Sequence, residues 1–158
     1  MASIKVSELE AIVDDENIER LSQYKWRLAG TKREYAARGE YIGSGHKNRV
    51  HKIIYMHREI LNAPKGAEVD HINGNKLDNR KCNLRLATSS QNKMNRGARI
   101  DSPTGIKGVQ RSGKKFTARI RANNINYYIG SYNTIEEAAK AYKDAAAKIH
   151  GLFANQED

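Results

Sequence analysis

The feature that most constrains this chain is the segment over residues 68–92, in which two short apolar runs enclose a long polar loop. Val69 and Ile72 lie in the first run, and Leu84 and Leu86 lie in the second. The loop between them is rich in Asn, Asp and Gly, which favour turns. The segment therefore predicts two short strands joined as a hairpin.

A helix is expected directly after the second strand. Thr88 and Gln91 have the spacing of a capping box, in which each side chain bonds a backbone amide of the other residue. Asn92 then lies in the first turn of the helix. The whole segment is predicted as strand, loop, strand and helix.

Four polar residues of this segment suit phosphodiester hydrolysis: Asp70, His71, Asn83 and Asn92. A neutral imidazole such as His71 takes a proton from water near pH 7. A hard divalent ion with oxygen ligands, such as the Asp70 carboxylate and the Asn92 amide, stabilises charge on the phosphate. Asn83 is placed to orient the hairpin that holds His71. Neighbours in an ideal strand point to opposite faces, so Asp70 and His71 line one site only where the strand ends or bends.

Other interpretations of single residues stay open. Turn preference alone explains several polar loop residues, and Asn79 could take the orienting role in place of Asn83. A helix is expected over residues 53–61, and His57 on it is expected to pack or to contact phosphate rather than to bind a metal. The single cysteine, Cys82, is expected to be a small filler.

These residues resemble the motif of HNH nucleases of the ββα-metal type, in their phage and homing-endonuclease form. Asn83 follows His71 by twelve positions, and Asn92 follows Asn83 by nine. The Asn-Gly-Asn and Asn-Leu-Arg elements also match, and the resemblance covers about residues 56–96. It implies His71 as the general base, Asp70 and Asn92 as ligands of Mg²⁺ or Mn²⁺, and double-stranded DNA as the substrate. One cysteine excludes a disulfide within the chain and a zinc site built on paired cysteines, which many HNH relatives carry.

Charge is concentrated in the later part of the chain. The 158 residues have a formal net charge of +10, with −1 in residues 1–40, +7 in residues 41–96 and +4 in residues 97–158. A basic surface of this kind suits a polyanion, although a solvated basic surface without a partner is an equal alternative on charge alone. The start of the chain has no apolar signal-peptide core, and no apolar run approaches the roughly 18 residues of a membrane span.

A second module is predicted over residues 105–151. Its strands are expected at Ile106–Gln110, around Phe116–Ala122 and at Ile125–Tyr132, and turns at Ser112-Gly113 and Asn123-Asn124 separate them. In the middle strand, apolar residues alternate with Thr117, Arg119 and Arg121, as in a sheet with one apolar and one basic face.

A helix completes this module. Thr134 and Glu137 form a capping box, and Gly151 is a natural C-terminal stop. An apolar stripe suited to lying on a sheet is expected at Ala138, Tyr142, Ala145 and Ile149.

The order of these elements resembles the Apetala, or ethylene-response-factor (ERF), DNA-binding domain over about residues 104–155. Gly105-Ile106-Lys107-Gly108-Val109 fits its first strand, and Tyr128-Ile129-Gly130-Ser131-Tyr132 fits its third. Gln110 and Phe116 stand where that family often has Arg and Trp, so its preferred DNA sequence does not carry over. The resemblance implies DNA contacts from Lys107, Gln110, Lys115, Arg119, Arg121 and Tyr128.

The sequence thus predicts an α+β protein. A β-rich segment (1–55) leads into a ββα-metal core (about 56–96), which together form a nuclease domain over residues 1–96. A linker (97–104) and an ERF-like domain (105–158), a three-stranded antiparallel sheet packed on one helix, follow.

The expected function is a metal-dependent DNA endonuclease that nicks DNA or cuts both strands. It is expected in the cytoplasm of a bacterial or phage-infected cell, not secreted and without a membrane partner, and as a monomer or homodimer. The alternatives are a non-catalytic DNA-binding regulator with a degenerate HNH fold and a protein that binds structured RNA.

Overall fold

The computed structural model describes residues 2–42 and 50–155, and the chain forms two compact units, Met1–Leu86 and Ala87–Asp158. The described residues contain ten β-strands in several small antiparallel sheets, together with four α-helices. This agrees with the predicted mixture of helix and strand. Among these residues, no helix combines the length and the apolar character that crossing a membrane requires. Gly43-Ser44-Gly45, a sequence typical of a loop, and the basic residues Lys47 and Arg49, which could contact a nucleic-acid backbone, lie outside the described ranges.

The first unit begins with an antiparallel pair of strands, β1 (Ala2–Val6) and β2 (Leu9–Val13). Their alternate apolar residues are buried, as expected for strands with one face on a core. Helix α1 (Asp15–Ser22) follows, in the acidic stretch that the sequence indicated.

A three-stranded antiparallel sheet comes next, in the order β3 (Arg27–Ala29), β4 (Tyr35–Ile42) and β5 (Val50–Tyr55). Helix α2 then covers only Met56–Ile60. The helix expected over residues 53–61 was therefore too long. Ile53 to Tyr55 pair with β4, because β-branched and aromatic residues favour strands when a partner strand is beside them.

The predicted hairpin is present as strands β6 (Glu68–His71) and β7 (Leu84–Ala87), which pair in a two-stranded sheet. A short 3₁₀ turn at Lys81–Asn83 leads into β7. Cys82 is exposed on this turn, so the expectation of a small filler was wrong. Val69 and Leu84 of the hairpin pack into the core of the first unit, whose other fully buried members include Val6, Val13, Leu21 and Met56.

The second unit contains helix α3 (Ser89–Asn95), and the predicted capping box between Thr88 and Gln91 is confirmed. Residues 97–104 follow α3 within this unit and contain turns, one closed by a hydrogen bond from the Ser102 amide to the Arg99 carbonyl. A separable linker at this place stays a prediction.

The second unit also contains the antiparallel sheet of β8 (Val109–Ser112), β9 (Lys115–Ala122) and β10 (Ile125–Tyr132). The first strand begins three residues later than expected. Gly108 has φ +72°, and a Cβ there would overlap the Tyr142 ring and the Arg119 carbonyl. Only glycine fits this close turn, because it has no Cβ. The extended conformation of β8 therefore begins after Gly108, at Val109. The Asn123-Asn124 turn is confirmed, with both residues at positive φ.

Helix α4 (Ile135–His150) packs on this sheet and begins at the predicted Thr134–Glu137 capping box. Its buried residues are Ala138, Tyr142, Ala146 and His150, whereas Ile149 is 43% exposed. The predicted stripe through Ala145 and Ile149 was therefore wrong in its second half. The buried residues instead follow one another at a constant spacing of four. His150, the last of them, forms a hydrogen bond between its Nε2 and the Arg121 carbonyl (3.1 Å).

Candidate functional site

Asp70 and His71 end strand β6, and both are almost completely buried, with exposed fractions of 1% and 0%. Their side chains have different partners, which follows from the alternation of side chains along a strand. Asp70 pairs with Arg85 of β7, whereas His71 packs against Asn79 and His57. Asp70 and His71 therefore contact different groups, as expected for neighbouring residues whose side chains point to opposite faces of a strand.

The carboxylate of Asp70 is held by Arg85. Its Oδ2 accepts hydrogen bonds from Arg85 Nε (2.8 Å) and Nη2 (2.7 Å). Such charge-assisted bonds from one guanidinium to one carboxylate are stronger than neutral hydrogen bonds, so they fix the Asp70 side chain against β7. Sequence reasoning missed Arg85. The available signal was a basic residue between Leu84 and Leu86, in the strand that pairs with the one carrying Asp70.

The imidazole of His71 has Nε2 3.4 Å from Asn79 Oδ1. Burial lowers its pKa from 6.5 to about 4, and the charge of Lys76 acts in the same direction. The Asn79 contact, Asp70 and Asp78 oppose this effect without reversing it. At neutral pH the ring is therefore neutral, and a neutral ring can accept a proton.

His57 lies beside His71 in the same buried cluster. Their ring centroids are 5.1 Å apart in an edge-to-face arrangement, and His57 also stacks on Tyr55 at 5.5 Å. Its Nδ1 is buried and has no hydrogen-bond partner among the described residues. Burial, then the electrostatic effects of His71, Arg58 and Lys76, lowers the pKa of His57 to about 3. The expectation that His57 is a packed residue is confirmed.

The loop between β6 and β7 is closed by asparagine side chains. Asn83 Oδ1 accepts from the Asn73 amide (2.9 Å), and Asn83 Nδ2 donates to the Asp78 carbonyl (2.8 Å). Asn73 Nδ2 donates to Asp78 Oδ2 (2.9 Å). The Asp78 carboxylate also pairs with Arg80, which lowers the pKa of Asp78. Asn83 therefore bridges the loop, while Asn79 is the residue that contacts His71.

Asn92 lies on α3, in the second unit, whereas Asp70 and His71 belong to the first. Among the residues that the structure describes, no group of three or more His, Cys, Asp and Glu side chains could hold a metal ion. The predicted ligand set contains one carboxylate and one amide oxygen, donors that suit Mg²⁺ or Mn²⁺ rather than softer metals. The carboxylate of Asp70 is of the donor type that such an ion prefers, and in this structure it is bonded by the Arg85 guanidinium.

The second unit carries an exposed basic face on its sheet. Arg119 of β9 faces Tyr128 of β10, and Gln110 of β8 faces Thr117 of β9. The alternate β9 residues Ala118 and Ile120 are buried under α4. Directly paired residues share a face, so five of the six predicted DNA-contacting residues lie on one exposed face: Gln110, Lys115, Arg119, Arg121 and Tyr128.

A groove of about 730 Å³ within the second unit includes part of this face. Its lining contains Lys93 of α3 together with Gln110, Arg119 and Arg121 of the sheet. None of the described residues that line it is acidic. The groove therefore has the charge that suits a phosphate backbone.

Lys107, the sixth predicted contact, also lines this groove, and its ammonium is bonded to backbone carbonyls. Its Nζ donates to the carbonyls of Lys93 (3.2 Å), Met94 (2.6 Å) and Arg96 (2.5 Å), at the end of α3. Lys107 precedes β8, so it lies before the sheet rather than on its exposed face.

Comparisons with known proteins identify the family. A family model described as HNH endonuclease matches residues 62–94, which include the loop and Asn92. An uncharacterized HNH endonuclease of Acanthamoeba polyphaga mimivirus is 35% identical over 135 residues, which cover 85% of this chain and 67% of that protein. Protein 3.8 of Escherichia phage T7 is 31% identical over 93 residues, 58% of this chain and 76% of the phage protein.

A Bacillus subtilis protein named as an HNH homing endonuclease derived from the SPbeta prophage is 32% identical over 107 residues, which cover 64% of this chain and 61% of that protein. The 135 residues matched by the mimivirus protein are more than either unit contains, so that similarity extends into both units. The chain therefore belongs to the HNH endonuclease family, and it is a nuclease.

Proposed function

We propose that this chain is a metal-dependent endonuclease of the homing type that hydrolyses phosphodiester bonds in double-stranded DNA. The observation that carries the proposal is the pair at the end of β6, Asp70 held by Arg85 beside a neutral, buried His71. Membership of the HNH endonuclease family supports DNA as the substrate.

In this proposal His71 is the general base. Its neutral ring accepts a proton from the attacking water, and the contact with Asn79 Oδ1 fixes the orientation of the ring. The ring is 0% exposed, so the flanking side chains have to move before water reaches it. Asn83 keeps the loop closed and thereby holds β6 and β7 together.

Asp70 and Asn92 are proposed to hold a divalent ion, Mg²⁺ or Mn²⁺. When bound, such an ion stabilises negative charge on the phosphate and on the leaving oxygen. Because Arg85 already bonds Asp70 Oδ2, the ion would share the carboxylate with Arg85 or displace it. Asp70 belongs to the first unit and Asn92 to the second.

DNA recognition is proposed for the exposed face of the sheet in the second unit. Arg119, Arg121 and Lys115 supply positive charge, and Tyr128 and Gln110 supply an aromatic ring and an amide on the same face. Basic sheets of this kind enter the major groove, where arginine reads guanine edges. The resemblance to the ERF domain supports the same role.

The proposal is tested with supercoiled plasmid. The full chain with Mg²⁺ should convert it to relaxed or linear DNA, and EDTA or His71→Ala should abolish the conversion. DNA binding with no cleavage under any metal would contradict the enzymatic role and favour a DNA-binding regulator. Cleavage or tight binding of structured RNA in preference to the plasmid would contradict the choice of substrate.

A further inference from the structure

Helix α3 ends without a glycine cap. Its C-cap residue, Arg96, is already extended (φ −67°, ψ 138°), and the last carbonyls of any helix have no partner within the helix. The Lys107 ammonium fills this role with hydrogen bonds to the carbonyls of Lys93, Met94 and Arg96. An ammonium has three donors, and three carbonyl acceptors surround this one.

Electrostatics favours the same arrangement. A cation at the C-terminus of a helix interacts favourably with the partial negative charge there. α3 has seven residues and no acidic residue in its first turn, and isolated helices of that length are marginal in water. The Lys107 contact is therefore a large part of what keeps α3 ordered at its C-terminal end.

Lys107 precedes Gly108, and Gly108 is tied to the sheet. Gly108, the next residue, is closely packed against the Tyr142 ring and the Arg119 carbonyl, and its own carbonyl accepts from the Arg119 amide (2.8 Å). Lys107 is thus anchored to β9, the strand that carries Arg119 and Arg121. Its ammonium reaches the helix that carries Asn92.

We propose that Lys107 is a positioning residue. Its contact fixes α3, and with it the Asn92 side chain, in one position relative to the DNA-contacting sheet. Lys107, α3 and the sheet all belong to the second unit, so this contact would set the place of Asn92 relative to the DNA-contacting face within that unit. The inference rests on the proposed function for the roles of Asn92 and the sheet. It gives Lys107 a role other than the DNA contact that the sequence predicted, because its ammonium bonds three carbonyls.

The test uses Lys107→Met, Lys107→Arg and a control, Lys143→Met, in the full chain. Lys143 is exposed on α4, and neither the site nor the sheet face includes it. In the free protein, hydrogen exchange of the backbone amides of Asn92 to Asn95 should be at least tenfold faster in Lys107→Met than in wild type or the control. Lys107→Arg should give intermediate exchange, because a planar guanidinium matches three carbonyls less well.

Two functional measurements separate positioning from DNA contact. In Lys107→Met, DNA affinity without metal should keep the wild-type salt dependence, whereas a lost phosphate contact would reduce the log–log slope by about one. The Mg²⁺ concentration for half-maximal nicking should rise several-fold, and Lys107→Arg should restore part of it.

A reduced salt slope with unchanged exchange in α3 would overturn the proposal and return Lys107 to the DNA interface. Unchanged exchange and unchanged metal dependence would also overturn it. If the wild-type chain nicks no DNA, the proposed function fails, while the exchange measurement still decides whether Lys107 holds α3.

Discussion

Arg85 donates two hydrogen bonds to a single carboxylate oxygen of Asp70, at 2.8 and 2.7 Å, and Asp70 is 1% exposed. A buried carboxylate that loses its cation becomes an uncompensated charge, which costs far more than an exposed pair contributes. The ion pair therefore stabilises the hairpin, and it also places a positive charge where the proposed metal ion would bind.

Arg85→Met should destabilise the protein by about 3 kcal/mol, because it leaves the Asp70 carboxylate buried without its cation. Mg²⁺ should then raise the melting temperature of this variant more than that of wild type, since the ion can take the place of the guanidinium. Differential scanning calorimetry with Mg²⁺ and with EDTA measures both effects.

The matched control for that experiment is Arg38→Met. Arg38 forms a partly buried pair with Glu59 (3.2 Å) in the same unit and does not bond Asp70 among the described contacts. This variant should lose stability without a specific gain from Mg²⁺. An equal response of the two variants to Mg²⁺ would show that Asp70 is not a metal ligand.

His71→Ala should retain DNA binding and lose cleavage by about 10²- to 10⁴-fold, the usual effect of removing a general base. Asp70→Ala and Asn92→Ala should behave differently, because higher Mg²⁺ compensates for weaker metal binding and does not replace a base. Single-turnover nicking across Mg²⁺ concentrations distinguishes the two classes. Near wild-type nicking by His71→Ala would contradict its role.

Stability should depend on pH through His57. Burial lowers the pKa of His57 from its ordinary value of 6.5 to about 3 in the folded protein, so the unfolded state binds more protons between these two pH values. The stability contributed by neutral His57 is complete above about pH 6.5 and is lost as the pH falls towards 3. A difference of one bound proton between the unfolded and folded states changes the free energy of unfolding by at most about 1.4 kcal/mol per pH unit.

His57→Phe keeps a ring against Tyr55 and removes the titration. Its free energy of unfolding, measured with urea at pH 7 and pH 4.5, should change less with pH than that of wild type. His51→Phe, at an exposed position of β5, should keep the wild-type dependence. An identical pH dependence in His57→Phe and wild type would mean that His57 is not buried in the neutral form.

Arg119→Ala and Arg121→Ala should weaken DNA binding and each reduce the log–log salt slope by about one, as expected for lost phosphate contacts. Lys140→Ala, an exposed basic residue on α4, is the control and should leave the slope unchanged. Fluorescence anisotropy from 50 to 200 mM salt measures the slopes. Unchanged affinity in both arginine variants would remove the sheet from the DNA interface.

Limited trypsin digestion should cut first near Arg99, whose side chain is 85% exposed beside the fully exposed Ile100. The two fragments should stay together on a native size-exclusion column, because Lys107 and α3 lie on opposite sides of the cut and bond each other. Separate elution of the fragments would support an independent domain after residue 104 and contradict the strength of this contact.

Local chemistry made much of this protein predictable from its sequence. Both capping boxes, the Asn123-Asn124 turn and the buried alternation in β9 depend on residues within one turn or one strand of each other. The HNH resemblance was also readable, because its residues have fixed spacings within residues 68–92. The roles of Asp70, His71, Asn83 and Asn92 stay predictions.

The tertiary structure alone decided which distant side chains meet. His57 reaches His71 from α2, and Arg85 reaches Asp70 across the hairpin. Lys107, for which the sequence predicted a DNA contact, bonds the carbonyls at the end of α3. A sequence shows the charge of a side chain but not the acceptors that folding brings to it. Long-range packing therefore determined the partners of these three residues.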